Sequence, residues 1–277
     1  METIDLTQKG TYRQLIEKTK KQFFTIVCCL FAAVNTFGAT SYTITGSGAD
    51  LILTITGTGN MPNYNNSSYA PWNGQGSSIK TVIIEDGVTR IGNYAFNGCW
   101  SLTSVTIPNS VTTIGGEAFS DCVGLTSVTF GNSLTAIGMD FYGCTGLTSI
   151  TFGNSMNIIG SRSFYGCTGL TGTLTIPNSV TTIGQEAFYG CTGLTSLIIG
   201  NSVTDIENQA FANCTDLMEI NSQNTTPPGV WDAFDGKLTK NPAFYMFLLV
   251  VLTFIGHLMD GESFSIYKKK ILGSRKW

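Results

Sequence analysis

Apolar residues recur along the middle of the chain with a period of about 23 residues. An Ile opens each period, a Phe and a Cys follow it at nearly constant offsets, and a Leu comes next. A period of this length, repeated six times, predicts stacked repeats that share one continuous interior, because a single repeat cannot bury its apolar face alone. The two clearest series are Phe96, Phe119, Phe141, Phe164, Phe188 and Phe211, and Cys99, Cys122, Cys144, Cys167, Cys191 and Cys214.

The polar and apolar positions within one repeat predict its local structure. Leu125, Val128 and Phe130 alternate with Ser and Thr, which indicates a strand with its apolar side facing inward. Gly131-Asn132-Ser133 follows as a turn cluster. The stretch from Ile114 to Cys122 spaces its apolar residues at helical intervals, so one or two turns of α- or 3-10 helix are expected on the opposite wall.

The repeats resemble the BspA-like leucine-rich repeat family. The resemblance rests on the pattern I-G-x-x-A-F-x-G-C-x-x-L-T-S-V-x-I-P-N-S-V, which is nearly complete from Ile91 to Val111 and from Ile183 to Val203. It implies a right-handed leucine-rich-repeat solenoid of the α/β to mostly β class. It also implies a surface or secreted protein of the bacterial and protozoan type, with a role in adhesion and no catalytic residues. Two repeats depart from the pattern, because Asp140-Phe141 and Ser163-Phe164 replace Ala-Phe.

The chain divides into four predicted regions. Residues 1–40 read as a signal peptide, with a long basic n-region before the apolar run Phe23–Val34 and small residues after it. Residues 41–76 form an N-terminal β-hairpin cap, and residues 77–236 form about seven rungs of the solenoid. Residues 237–277 hold the apolar stretch 243–259 and a basic tail.

Each end has an alternative interpretation. The apolar stretch 243–259 is just long enough to span a membrane, and the Lys- and Arg-rich tail behind it would stay in the cytoplasm. A buried capping helix, or a tail acquired by a shifted reading frame, would explain the same residues. At the N-terminus, the alternative to a signal peptide is a buried helix.

Composition argues against several functions. Charged residues make up 12% of the chain and the formal net charge is -3, so no basic surface for nucleic acid is expected. The one histidine, His257, lies inside the apolar stretch near the C-terminus. The repeats offer almost no nucleophile-and-base pair, and the scattered acidic residues read as surface charge, although Glu117 and Asp140 could meet across rungs. We therefore expect a protein that is not an enzyme and uses no cofactor.

The repeated cysteines are expected to form a buried ladder of free thiols. Neighbouring rungs lie close enough for disulfides, but their side chains should point in parallel rather than at each other. The Cys-x-x-Cys spacing typical of zinc sites is absent from the repeats, so no metal is expected.

The outward positions of the strands are the candidate binding face. They carry uncharged hydroxyls, which stacking should arrange in two parallel rows. A protein ligand is favoured, and glycan binding or a purely structural spacer remain open. Tyr142, Tyr165 and Tyr189 offer an aromatic stripe for sugars, although packing between rungs is the preferred interpretation. The candidate residues are Ser104, Thr106, Ser127, Thr129, Ser149, Thr151, Thr173, Thr175 and Ser196.

Overall fold

The repeats form stacked rungs, and each rung adds one segment to each of three walls. The computed structural model describes residues 40–65, 69–222 and 232–234. We number rungs one to six by the ladder phenylalanine that each one carries, from Phe96 to Phe211. The strands are β1 Thr40–Thr45, β2 Leu51–Gly57, β3 Gly59–Asn60, β4 Ile79–Ile84, β5 Val88–Ile91, β6 Ser104–Ile107, β7 Thr113–Ile114, β8 Ser127–Phe130, β9 Ala136–Ile137, β10 Ser149–Thr151, β11 Ile158–Ile159, β12 Gly172–Ile176, β13 Thr182–Ile183, β14 Leu194–Ile199, β15 Asp205–Ile206 and β16 Glu219–Ser222.

The longer strands build the first wall, which we call the strand wall. They form one sheet in the order β1-β2-β4-β6-β8-β10 and a second in the order β12-β14-β16. All neighbours pair in parallel except β1 and β2, which form the antiparallel hairpin expected as the N-terminal cap. Alternation within each strand explains the pairing, since Val105 and Val128 lie opposite each other and are both buried. The solenoid predicted from the repeats is confirmed.

The strand wall is interrupted between rungs three and four. No backbone pairing joins β10 to β12, and the register shifts between Gly172 and Thr173. One extra residue at Thr171-Gly172 lengthens rung four, and Gly172 has a positive φ of 71°. At the interruption Ile150 and Phe152 are only half-buried, whereas the corresponding Val128 and Phe130 are buried.

Strands of mostly two residues form the second wall. They pair in parallel in the orders β3-β5-β7 and β9-β11-β13-β15. All of them except β3 carry the Ile of a repeat, and Ile91, Ile137, Ile159, Ile183 and Ile206 are all buried.

The third wall, the turn wall, consists of hydrogen-bonded turns rather than the short helices that apolar spacing favoured. Among the described residues, 3-10 helix occurs only at Asn73–Gln75 and Asp232–Phe234. Left-handed residues such as Glu117 and Glu186 (φ 57° and 56°) prevent a helix from continuing. The same turns direct alternate N–H groups to the next rung, as in Phe96 N–H to the Ala118 carbonyl at 2.7 Å and Phe188 N–H to the Ala210 carbonyl at 2.7 Å.

A column of stacked aromatic rings fills the centre. The six ladder phenylalanines are buried, and consecutive ring centroids lie 5.0 to 5.6 Å apart. Two rings outside the predicted ladder extend it. Trp72 stacks on Phe96 and donates its indole N–H to the Ala95 carbonyl at 2.7 Å, and Phe234 stacks on Phe211 at 5.4 Å. Trp72 lies 24 positions before Phe96 and Phe234 lies 23 after Phe211, so both continue the period of the ladder.

The cysteines line the core beside this column. Five of the thiols each donate a hydrogen bond to the carbonyl oxygen of a ladder Phe in the preceding rung, as from Cys122 Sγ to Phe96 O at 3.2 Å. The six repeat cysteines are free, and all but the half-buried Cys214 are buried. Burial raises the pKa of Cys99 to about 12, so its thiol stays protonated at neutral pH.

The predicted signal peptide and the apolar stretch 243–259 lie outside the described residues. Within residues 40–65, 69–222 and 232–234, no helix is long and apolar enough to cross a membrane.

Candidate functional site

The outward positions of the strand wall form two rows of hydroxyl side chains. In the first row Ser104, Ser127 and Ser149 lie opposite one another, and in the second Thr106, Thr129 and Thr151 do the same. Beyond the interruption, Thr173 lies opposite Ser196, and Thr175 continues the second row. The rows alternate with buried residues, because successive side chains of a strand point to opposite faces.

These nine hydroxyl side chains are accessible to solvent, and the described fold does not use them in hydrogen bonds. Seven of the nine residues are exposed, and Ser127 and Ser196 are half-buried. None of the nine hydroxyls hydrogen-bonds to another group of the described structure. The neighbouring row behaves differently, because the hydroxyls of Thr103, Thr126 and Thr148 bond to carbonyl oxygens of the preceding rung at 2.9 to 3.2 Å. The strand wall therefore offers donors and acceptors that the fold itself does not occupy.

The same wall carries almost no charge and begins with apolar residues. Ile52 and Ile83 are exposed at the N-terminal end, and Ile83 (44% exposed) occupies the row of Thr106. Glu219 is the first acidic residue of the rows, opposite Ser196. Sequence reasoning missed the two isoleucines, although they stand at the outward positions of strands Leu51–Gly57 and Ile79–Ile84.

The tyrosine stripe packs on itself. The rings of Tyr142 and Tyr165 are 4.9 Å apart and those of Tyr165 and Tyr189 are 4.7 Å apart, both nearly parallel. Each inner ring face is therefore covered by a neighbour and cannot stack on a sugar. Some burial and the adjacent phenol groups raise the pKa of Tyr165. Trp100, at 57% exposed, is an accessible aromatic ring, and Val123 is exposed at the same position of the next rung.

The acidic residues do not assemble into a site. Glu117 accepts a hydrogen bond from the Tyr94 hydroxyl at 2.9 Å, and Asp140 accepts one from the Gly138 N–H at 2.9 Å, so each carboxylate has its own donor. In the part of the chain that the structure describes, no group of three His, Cys, Asp or Glu side chains is arranged to hold a metal ion.

Comparison with known proteins agrees with the repeat pattern. The family model "BspA type Leucine rich repeat region" matches in six copies over residues 74–171 and 139–234. No curated protein matches the chain significantly.

Solved structures of repeat proteins are also similar. The leucine-rich repeat protein of T. pallidum is 28% identical, with 66% of this chain and 80% of that chain covered and a TM-score of 0.48. A leucine-rich cell surface protein of Faecalibacterium prausnitzii is 25% identical, with 53% and 55% covered and a TM-score of 0.34. The pneumococcal vaccine antigen PcpA is 14% identical, with 73% and 92% covered and a TM-score of 0.34.

Proposed function

This chain belongs to the BspA-type leucine-rich repeat family, and from that premise we propose that it is a non-catalytic interaction protein whose strand wall binds a protein ligand outside the cell. The observation that carries the proposal is the set of nine accessible hydroxyls without a partner in the fold. Stacked repeats extend such a surface over many rungs, which is how solenoids present binding faces.

The chemistry of the wall indicates the kind of binding. Neutral hydroxyls form hydrogen bonds of modest net strength, about 1 kcal/mol each, so no single rung dominates. Contacts summed over several rungs, and over many copies displayed on a surface, would raise a weak affinity to useful attachment. Without charge, the wall gives little electrostatic steering, and binding should depend weakly on salt.

We further propose that the protein is exported and acts at the cell surface or in the medium. The support is the basic and apolar pattern of residues 1–40, which is typical of a signal peptide. The apolar stretch 243–259 with its basic tail would anchor the solenoid in the membrane. Adhesion to a host or to a neighbouring cell is the role that best fits an exported, membrane-anchored protein whose strand wall binds a ligand.

Replacing three threonines of the strand wall with lysine tests whether this wall is the binding face. The variant Thr129→Lys, Thr151→Lys and Thr175→Lys places charge on the second row, and we expect attachment to immobilised extracellular-matrix proteins to fall at least tenfold with the fold intact. The matched control is Thr135→Lys, Thr145→Lys and Thr168→Lys, which adds the same charge at exposed positions away from the rows. Equal attachment by both variants would exclude the strand wall as the site.

One observation favours a second candidate, glycan binding. The ring of Trp100 is accessible, and exposed aromatic rings on a protein surface can stack on the faces of sugars. A glycan array probed with the unaltered protein and with Trp100→Ala separates the two candidates. Loss of glycan signals in Trp100→Ala alone would favour the sugar, whereas a blank array with matrix binding retained favours the protein ligand. A protein that binds neither would be a structural spacer.

A further inference from the structure

The second wall carries a rung-to-rung hydrogen bond that one rung lacks. The residue after the repeat Ile donates its N–H to the Ile carbonyl of the preceding rung at 2.7 to 2.9 Å in rungs two, four, five and six, the donors being Gly115, Gly160, Gly184 and Glu207. In rung three the equivalent donor is Gly138. Its N–H is bonded at 2.9 Å to the Asp140 carboxylate of its own rung instead of to Ile114.

The third rung is shorter than the others at this point. Ile137 precedes the ladder residue Phe141 by four positions, whereas the other five rungs have five. The left-handed residue that the other rungs place between Ile and Phe, such as Glu117 or Arg162, is missing here. Strands β7 and β9 are accordingly not paired with each other, and Ile114 is half-buried although the five other repeat isoleucines are buried. We call this contact between rungs two and three the seam.

Asp140 lies inside the seam without a counter-charge. Its side chain is 1% exposed, at the position that alanine occupies in rungs one, two, five and six. Of the charged side chains on the neighbouring turns, Glu117 bonds to Tyr94 and Arg162 pairs with Glu186. The hydroxyl of Ser163, at the same position of rung four, bonds to the Gly160 carbonyl. The other titratable groups of rungs two to four are Asp121, Tyr142, Tyr165 and the thiols of the ladder.

We propose that Asp140 is a pH-sensitive latch, which holds rungs two and three together when its carboxyl is neutral and loosens the seam when the carboxyl ionises. A neutral carboxyl still accepts the Gly138 N–H through its carbonyl oxygen. An ionised carboxylate leaves a buried charge with a single hydrogen bond, and that charge gains solvation only if the seam opens.

The direction of the pH effect follows from linkage. Burial raises the pKa of Asp140 to about 7 and the Gly138 N–H lowers it in part, with no contribution from another charge. In the closed seam the Asp140 carboxyl therefore keeps its proton at pH values where the hydrated carboxyl of the open seam has lost it. The open form loses the proton near its ordinary pKa of about 3.9. Stability of the seam is full below the pKa of the open state and falls as pH rises through the pKa of the closed state. The open population should rise about tenfold per pH unit between pH 5 and 7 and level off above that.

Amide hydrogen exchange can detect the seam. The N–H groups of Glu117, Phe119 and Asp121 bond across it to carbonyls of Met139, Asp140 and Tyr142 at 2.8 to 3.1 Å. We expect their exchange, corrected for the intrinsic effect of pH, to rise by roughly a hundredfold from pH 5 to pH 7 in the full chain. The amides of Phe164 and Glu186, which bond between later rungs, serve as internal controls.

Substitution at Asp140 completes the test. Asp140→Asn keeps the acceptor and removes the charge, so the corrected seam exchange should become independent of pH. Asp140→Ala, which restores the residue of the other rungs, should do the same if the first variant folds poorly. Asp86→Asn, an exposed carboxyl in the turn after strand Ile79–Ile84, should behave like the unaltered protein. The latch is refuted if the unaltered protein shows no rise at the seam, or if the rise persists in both Asp140 variants.

Discussion

At the scale of single residues, each ladder ring is held by its two neighbours. Phe164 lies 5.6 Å from Phe141 and 5.2 Å from Phe188, and Phe152 meets it edge-on at 6.2 Å. Phe234, the last ring of the column among the described residues, stacks within that part of the chain on Phe211 alone. Because contacts in a solenoid are nearest-neighbour, the cost of losing a ring depends on its place in the column.

The variant Phe164→Ala should therefore lower the free energy of unfolding by about 3–5 kcal/mol, because it opens a cavity in a closed core. Phe234→Ala should cost clearly less, since its ring has one stacked partner among the residues that the structure describes. Chemical denaturation followed by circular dichroism measures both. A midpoint for Phe164→Ala equal to that of the unaltered protein would contradict its place in the core.

At the scale of the elements, glycines set how closely rungs approach. Gly146 lies in the turn between Cys144 and Leu147, and a Cβ at that position would stand 2.4 Å from the Val123 carbonyl oxygen of the preceding rung. Gly124 and Gly169 are constrained in the same way by the rungs before them. At Gly116, on the turn wall, an added Cβ would lie in open space.

This contrast predicts opposite responses to one methyl group. Gly146→Ala should destabilise the solenoid by about 1–3 kcal/mol, because the overlap is with backbone and only a shift of the rung relieves it. Gly116→Ala should be neutral or slightly stabilising, since it only restricts the unfolded chain. Thermal unfolding of the two variants side by side gives the answer, and equal midpoints would show that rung spacing does not depend on Gly146.

At the scale of the whole molecule, the proposed attachment to a membrane rests on a segment outside the described residues. If residues 243–259 span a membrane, the full-length protein should stay in the membrane pellet after a carbonate wash, because a spanning segment is not released by high pH. Truncation after Gly236 should release a soluble, folded solenoid. Full-length protein recovered freely from the medium would refute the anchor.

The period of the sequence was sufficient to predict the stack. Ladder positions such as Phe119 and Cys122, and outward positions such as Thr129, follow from side-chain polarity, which each repeat encodes locally and every rung repeats. The outward hydroxyls are where that pattern places them. Their role in binding stays a prediction.

Tertiary structure decided what depends on two rungs at once. The face-to-face packing of Tyr142 on Tyr165 and the break in the strand wall before Gly172 each involve two rungs, and the bond from Gly138 to Asp140 stands in place of a bond to the preceding rung. The tyrosines stack because successive rungs carry Tyr at the same position, whereas the break and the Gly138 bond arise where neighbouring rungs differ in length. The pattern of polar and apolar residues along the chain determines whether a side chain faces the interior or the solvent. The group that it contacts in the neighbouring rung depends on the length and register of that rung.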